Sequence, residues 1–350
     1  MLTVLQVAYP FAPVSLDAVG GAEQVAAALD RGLTARGHRS IVIACAGSQT
    51  CGRLVPIEVC PPFDVRARVS VHRRVTEAIR ETLESTPVDL VHMHGLDYHE
   101  YLPAEGVPVL ATLHMPVSYY PASIFQSSRP HTILNCVSEA QRRTFPRCTQ
   151  IVDSIDNGIP LELFPRSSGP REEFALALGR ICPEKGFHLA LEAAGQAGTP
   201  LWIAGSVFPY QEHEQYFERE LLPRLSPPHR FLGPVGFAEK VELLSRARCL
   251  VLSSLVAESA SLAAMEAMAC GTPVVSFSRG APATFIENGK TGFQVNSVKE
   301  MAAAILRCGE IHAEDCRRRA RLSFSADRMV NRYIDLYARL LTPSGIAVEA

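Results

Sequence analysis

The chain has 350 residues, room for about two domains at roughly 150 residues each. It is 47% hydrophobic and 20% charged, the balance of a soluble globular protein able to bury two cores. The net charge is −2, with 13 basic against 16 acidic residues up to position 165 and 21 against 20 beyond it, so neither half is the basic partner that non-specific nucleic-acid binding requires.

Residues 3–8 read as a first strand. No basic region precedes them, so a signal peptide is not expected. No stretch approaches the roughly 18–20 apolar residues of a membrane span. Ten scattered cysteines without a Cys-x-x-Cys pair fit reduced thiols and a cytoplasmic setting. Gly20-Gly21-Ala22-Glu23 then opens a helical pattern through Val25, Leu29 and Leu33. Glycines at that place let backbone approach a phosphate closely, and they equally suit a plain turn.

A second strand follows at 40–44. Val71, Val75, Ile79 and Leu83 recur every four residues among Arg66, Arg68, Arg73, Arg74 and Arg80. Such a basic helix suits a membrane surface, while the interleaved Glu77, Glu81 and Glu84 suit a solvated face. Strands at 90–93, 108–113 and 133–137 complete the first half. His92 and His94 share one strand face, and with Asp97 and His99 they hint at a metal-dependent hydrolase, though no carboxylate-rich motif completes the set. His114 follows its own strand and points to the carboxyl-end mouth where parallel sheets bind ligands.

The break between halves falls near 155–172. Asp156-Asn157-Gly158-Ile159-Pro160 has turn chemistry, and residues 166–171 read as a linker. The second half has strands at 174–178, 201–204, 249–252 and 273–277. After the first comes Gly179-Arg180-Ile181-Cys182-Pro183-Glu184-Lys185-Gly186. Arg180 as a fork and Lys185 as a point charge suit a diphosphate, and they also suit a charged surface turn. After 249–252 comes a helix to about Ala269, with Ser259 or Ser261 as cap and Gly271 and Pro273 as its end. Free N–H groups near Ser261 and Leu262 suit an anion. Glu258 and Glu266, about two turns apart, suit a hydroxyl-rich ligand, and they also suit a solvated helix face. A last helix at 326–342 carries Met329, Tyr333, Leu336, Tyr337 and Leu340 on one side and is able to pack back on either domain, the N-terminal one among them; residues 343–350 read as a frayed tail.

Continuous apolar strands alternating with helices mean two α/β halves, each with a parallel sheet covered on both faces. The division is 1–160, 161–325 and the C-terminal helix. There is no Asp-x-Asp metal motif, no P-loop and no Gly-x-Ser-x-Gly.

The ordered series Gly20-Gly21, Asp89 to His94, Thr112-Leu113-His114, Val137-Ser138, Asn157-Gly158-Ile159, Gly179-Arg180 with Lys185-Gly186, and Glu258-x7-Glu266 resembles the retaining glycosyltransferases of family GT4 over roughly 1–340. The resemblance implies a GT-B fold, two Rossmann-like domains with parallel sheets facing across a cleft. It implies a hexosyltransferase using a nucleotide-sugar donor, with UDP favoured and no metal cofactor. It assigns Arg180 and Lys185 to the donor diphosphate, with backbone contacts from Gly21, Gly179, Ser261 and Leu262. Glu258 is assigned to donor-sugar hydroxyls, Glu266 to the ribose, the segment 231–235 with Val235 to the base, and His114 to the anomeric centre. The acceptor is a sugar, a lipid or a natural product, and the basic helix is then a candidate for peripheral membrane contact.

Two departures bear on the donor. Where the family often has Glu-x-Phe-Gly-Leu, this chain has Glu258-Ser259-Ala260-Ser261-Leu262, and a usual Gly-Gly-x-x-Glu reads Gly280 to Thr284. Besides the hydrolase built on His92, His94 and His99, a non-catalytic sugar-nucleotide-binding protein is the remaining alternative.

Overall fold

The computed structural model describes residues 1–59, 64–126, 129, 131–146, 148, 150–165 and 169–342. It divides into two compact units: Met1–Asn157 with the chain from Ala326 onward, and Gly158–Ser325. Of the expected linker, residues 166–168 lie outside the described residues, as does the tail at 343–350.

The first unit holds seven strands: β1 Thr3–Val7, β2 Arg39–Cys45, β3 Arg53–Ile57, β4 Leu90–Met93, β5 Val109–Leu113, β6 Thr132–Cys136 and β7 Ile151–Ser154. They form one sheet in the order β3-β2-β1-β4-β5-β6-β7, every pair parallel. The second unit holds β8 Ala175–Leu178, β9 Leu201–Ala204, β10 Arg230–Gly233, β11 Cys249–Leu252, β12 Val274–Phe277 and β13 Gly292–Val295, in the order β10-β9-β8-β11-β12-β13, again all parallel. Parallel strands need crossovers, and the helices that supply them cover both faces. That is why β4, β5, β6, β8, β11 and β12 are buried along their whole length.

Nine of these strands follow from apolar runs in the sequence, within a residue or two at their ends. The four others, β3, β7, β10 and β13, are the four sheet edges. An edge strand pairs on one side only, so its sequence tolerates Arg53, Pro56, Asp153, Arg230 and Gln294.

Helix Val65–Ser85 starts where the Asp64 carboxylate accepts a hydrogen bond from the Ala67 N–H at 2.8 Å. It buries Val71, Val75, Ile79 and Thr82; Leu83 is only partly buried. Its outer face carries Arg73–Glu77 and Arg80–Glu84 pairs one turn apart. No described helix is long and apolar enough to cross a membrane.

Helix Ala326–Leu340 follows the second unit in sequence but packs within the first. Met329, Val330, Tyr333, Leu336, Tyr337 and Leu340 are buried, and burying each such side chain contributes about 1.5–3 kcal/mol. It lies against helix Gly21–Ala35 at Gly32, where an added Cβ would meet Val330 at 2.4 Å. Arg36 fixes its start through Asp327 at 2.8 Å and Asn331 at 2.9 Å. Arg332 and Arg339 hold its other side to Asp153 of β7.

Candidate active site

In the first unit the functional side chains gather where β4 and β5 end. His92 is buried, and both ring nitrogens are occupied: Nδ1 by the Tyr337 hydroxyl and Nε2 by Thr112 Oγ1, each at 2.7 Å. Asn135 fixes the directions. Its amide N–H donates to the Cys136 carbonyl and to the Tyr333 hydroxyl, so its Oδ1 accepts from Thr112. Thr112 has then used its proton, and His92 Nε2–H donates to it. Tyr337 donates to Nδ1. Burial holds His92 neutral, its pKa well below the ordinary value.

His92 is therefore saturated and has no lone pair for a metal. His99 lies beside Glu100 at 3.3 Å, and Asp97 is held by His72 and the Tyr101 hydroxyl, each at 2.7 Å. Among the described residues no metal-capable group of three forms around His92, His94 and His99. The hydrolase expectation is corrected: a strand face shared by two histidines has been filled with hydroxyls, not carboxylates.

His94 stacks near His92, with ring centroids 4.0 Å apart, and its Nδ1 lies 3.2 Å from His114 Nε2. His94 Nε2 is buried without a partner among the described residues. Burial lowers the His114 pKa to about 4 and the His94 pKa well below the ordinary value, so both rings are neutral at physiological pH. Gly21 is the exposed first residue of helix Gly21–Ala35, with Gly20 as its cap. The helix N-terminus thus follows the β1 end, as the glycine pair implies.

In the second unit the loop after β8 is folded onto the segment after β11. Gly179 has φ +147°, and Pro183–Lys185 makes one helical turn ending at Gly186. Gly186 sits at φ +59°, and an added Cβ there would meet the Ser253 carbonyl at 2.4 Å. Ser253 Oγ donates to the Lys185 carbonyl at 2.9 Å, and Leu255 N–H to the Glu184 carbonyl at 2.7 Å. These bonds deliver Lys185 Nζ to Glu258 Oε1 at 2.6 Å. Ser254 Oγ donates to the same oxygen. Burial pushes the Glu258 carboxyl pKa up, but Lys185 and the hydroxyls of Ser254 and Ser261 outweigh it and hold it below its ordinary value. Arg180 is half-buried, with no ion-pair partner among the described residues.

The helix in this segment runs Leu262–Cys270 and ends at Gly271 in the left-handed region. Ser261 occupies the cap position but makes no capping bond with its side chain; its hydroxyl instead helps hold the Glu258 carboxyl below its ordinary pKa. The expected Ser259 or Ser261 side-chain cap is thus corrected, and the first N–H groups are not satisfied by that hydroxyl. Leu262 opens the helix and is buried.

Glu266, also buried, has its own lysine, Lys240, at 2.8 Å. Lys240 lies over the Phe237 ring at 5.0 Å. The sequence reading has no place for Lys240, because it comes from a separate helix, Phe237–Arg246, and lies 26 positions away. Val235 stands half-buried just before that helix, and the β10 end beside it is tied to the Gly205 N–H through the Gly233 carbonyl. A second unforeseen group is Cys182, Glu184 and His213, whose ligand atoms lie within 4.8 Å of one another.

Two family models match the chain: "Glycosyltransferase Family 4" over residues 19–162 and "Glycosyl transferases group 1" over residues 172–310. A phosphatidyl-myo-inositol mannosyltransferase of Mycolicibacterium smegmatis is 29% identical, over 92% of this chain and 88% of that protein. A glycogen synthase of Mycobacterium tuberculosis is 33% identical, over 43% of this chain and only 38% of its own length. The structure of Anabaena HepE in complex with UDP and glucose superposes with a TM-score of 0.74 at 17% identity, covering 97% of this chain and 100% of that one.

Proposed function

Because the chain belongs to glycosyltransferase family 4 and has the GT-B fold, we propose that it moves a hexose from a nucleotide-sugar, UDP-linked by preference, to an acceptor hydroxyl with retention. The observation that carries this reading is the 2.6 Å contact of Lys185 with Glu258, built from the loops after β8 and β11 beside a helix N-terminus. A nucleotide-sugar brings one partner for each part: phosphate oxygens for Arg180, Lys185 and the N–H groups of Ser261 and Leu262, and sugar hydroxyls for Glu258. Glu266 is assigned to the ribose hydroxyls, Gly21 and Gly179 to backbone contacts with phosphate, and Val235 to the base. The HepE structure, a complex with UDP and glucose, supports the choice of base.

When the anomeric C–O bond breaks, the electron pair stays on the diphosphate oxygen and the sugar becomes cation-like. Arg180, Lys185 and the helix N-terminus stabilise that departing charge, the role a metal held by Asp-x-Asp has in other transferases. The acceptor oxygen bonds to the anomeric carbon on the same face, and its proton passes to the leaving phosphate. His114, neutral and held by His94, offers an uncharged hydrogen-bonding ring to the sugar being transferred.

The mannosyltransferase relative, named for phosphatidyl-myo-inositol, supports a lipid acceptor, with sugars and natural products as the alternatives. Helix Val65–Ser85 then offers a membrane contact in its first two turns, where Val65 and Val69 are exposed beside Arg66. In its later turns Arg73 and Arg80 pair with Glu77 and Glu84. Co-sedimentation with anionic liposomes tests this, and no binding at low salt ends it.

The decisive experiment is a panel of UDP-, GDP- and ADP-sugars scored by thermal shift, since a bound donor raises apparent stability by mass action. Turnover and product anomer are then read by NMR. A UDP-sugar shift with a retained product is expected. An inverted product or a trapped glycosyl-enzyme overturns the mechanism, and binding without turnover across all acceptors leaves a sugar-nucleotide sensor.

A further inference from the structure

We propose that Cys182, Glu184 and His213 form a binding site for a zinc-class divalent cation, set into the loop that carries Arg180 and Lys185. The Cys182 sulfur, a Glu184 carboxylate oxygen and a His213 ring nitrogen all lie within 4.8 Å of one another, the one such group of three among the described residues. Tetrahedral zinc, with bonds of about 2.0–2.3 Å, holds its ligand atoms about 3.3–3.8 Å apart. The three groups therefore need to draw in by at most about 1.0–1.5 Å to meet that geometry.

Two separate elements build the site. Cys182 has extended backbone and precedes the turn Pro183–Lys185, with its thiol buried. Glu184 lies in the middle of that turn, anchored by its carbonyl to Leu255 N–H. His213 comes from helix Gln211–Tyr216, its ring flanked by Phe208 and Tyr210 at centroid distances of 6.3 and 5.2 Å. Its Nδ1 is buried without a hydrogen-bond partner among the described residues, and buried polar atoms in that condition call for a reason.

The donor set has a definite preference. Thiolate with imidazole and carboxylate selects zinc over magnesium or manganese, which prefer all-oxygen sites. Burial, then the Arg180 charge, lowers the His213 pKa and keeps the imidazole in the neutral form that ligates. Burial and the Glu184 carboxylate raise the Cys182 thiol to about 11, and a coordinated cation reverses that logic by taking the thiolate. On binding, the thiol proton leaves to solvent, and thiolate and carboxylate together neutralise the ion's two charges. With three protein ligands a fourth position stays open. An ion here ties the turn bearing Lys185 to helix Gln211–Tyr216. It is separate from the transferase chemistry, which routes no step through it.

The test uses the full chain, stripped with chelator and kept reduced. Titration with Co²⁺ is expected to give, at one equivalent, the near-ultraviolet band of a cobalt–thiolate bond, displaced by one equivalent of Zn²⁺. Cys182→Ser is expected to lose the band. His213→Ala and Glu184→Gln are expected to weaken Zn²⁺ binding, measured against a chromophoric chelator, by about tenfold or more. His213→Ala sits on a different element, so a folding failure of Cys182→Ser does not stall the test. No stoichiometric band, a band that survives in Cys182→Ser, or unchanged zinc affinity in His213→Ala overturns the site. No nucleotide-sugar enters these measurements, so their failure and that of the transferase reading are told apart.

Discussion

The carboxyl ends of the two sheets solve the same problem with opposite chemistry. At β4 and β5 the polar groups are neutral: His92, Thr112, Asn135, Tyr333 and Tyr337 satisfy one another with hydroxyls, and His94 is aimed at His114. At β8 and β11 they are ionic: Lys185 with Glu258, Lys240 with Glu266, and Arg180 without an ion-pair partner among the described residues. The neutral end suits a ring that must stay uncharged. The ionic end suits a ligand that brings charge and takes over the lysine. A saturated network resists ligands, and an ion pair can exchange partners.

The largest effect expected to break this contrast comes from the ionic end. Replacing both Arg180 and Lys185 by Ala should abolish the donor thermal shift and cut turnover by about 10³ or more, since one transition-state donor alone is worth about 10²–10³. Unchanged donor affinity would show that the phosphate lies elsewhere. Glu258→Gln leaves the half-buried Lys185 without its counter-charge and should cost about tenfold to a hundredfold in kcat/KM, as loss of a hydrogen bond to a charged group does. Equal turnover in that variant would remove Glu258 from the site.

The neutral end is sharpened by pH. His114 titrates at about 4 in the folded protein because burial disfavours its charge, against about 6.5 unfolded. The unfolded chain therefore binds more protons between those values, and stability is full above pH 6.5 and falls as pH drops toward 4. His92 and His94 act in the same direction. Urea midpoints that stay level across that window would contradict neutral, buried rings. The smallest effect is structural: Gly32→Ala forces a Cβ against Val330 and should destabilise the protein by about 1–3 kcal/mol, read from chemical denaturation.

What could be read from the sequence has a physical boundary. Strands such as β4, β8 and β11 are buried on both faces, and burial writes continuous apolar runs. Edge strands such as β3 and β10 carry no such run and leave no strand signal in the sequence. Arg180, Lys185 and Glu258 stand out because each lies in a short motif at a strand end. Lys240 and His213 do not, since their partners are brought by folding and leave no local spacing. The last helix is legible as an apolar stripe, but its Tyr337 hydroxyl reaches His92 across 245 positions and its Tyr333 hydroxyl reaches Asn135. No pattern in the stripe marks them as polar partners.

The return of helix Ala326–Leu340 to the first unit has a consequence for biosynthesis. The first unit is interrupted in sequence by the whole of the second. A growing chain can close the second sheet before Tyr333 and Tyr337 exist to satisfy His92, Thr112 and Asn135. The strands of the first unit are made before the second unit, yet they gain these hydroxyl partners only after it.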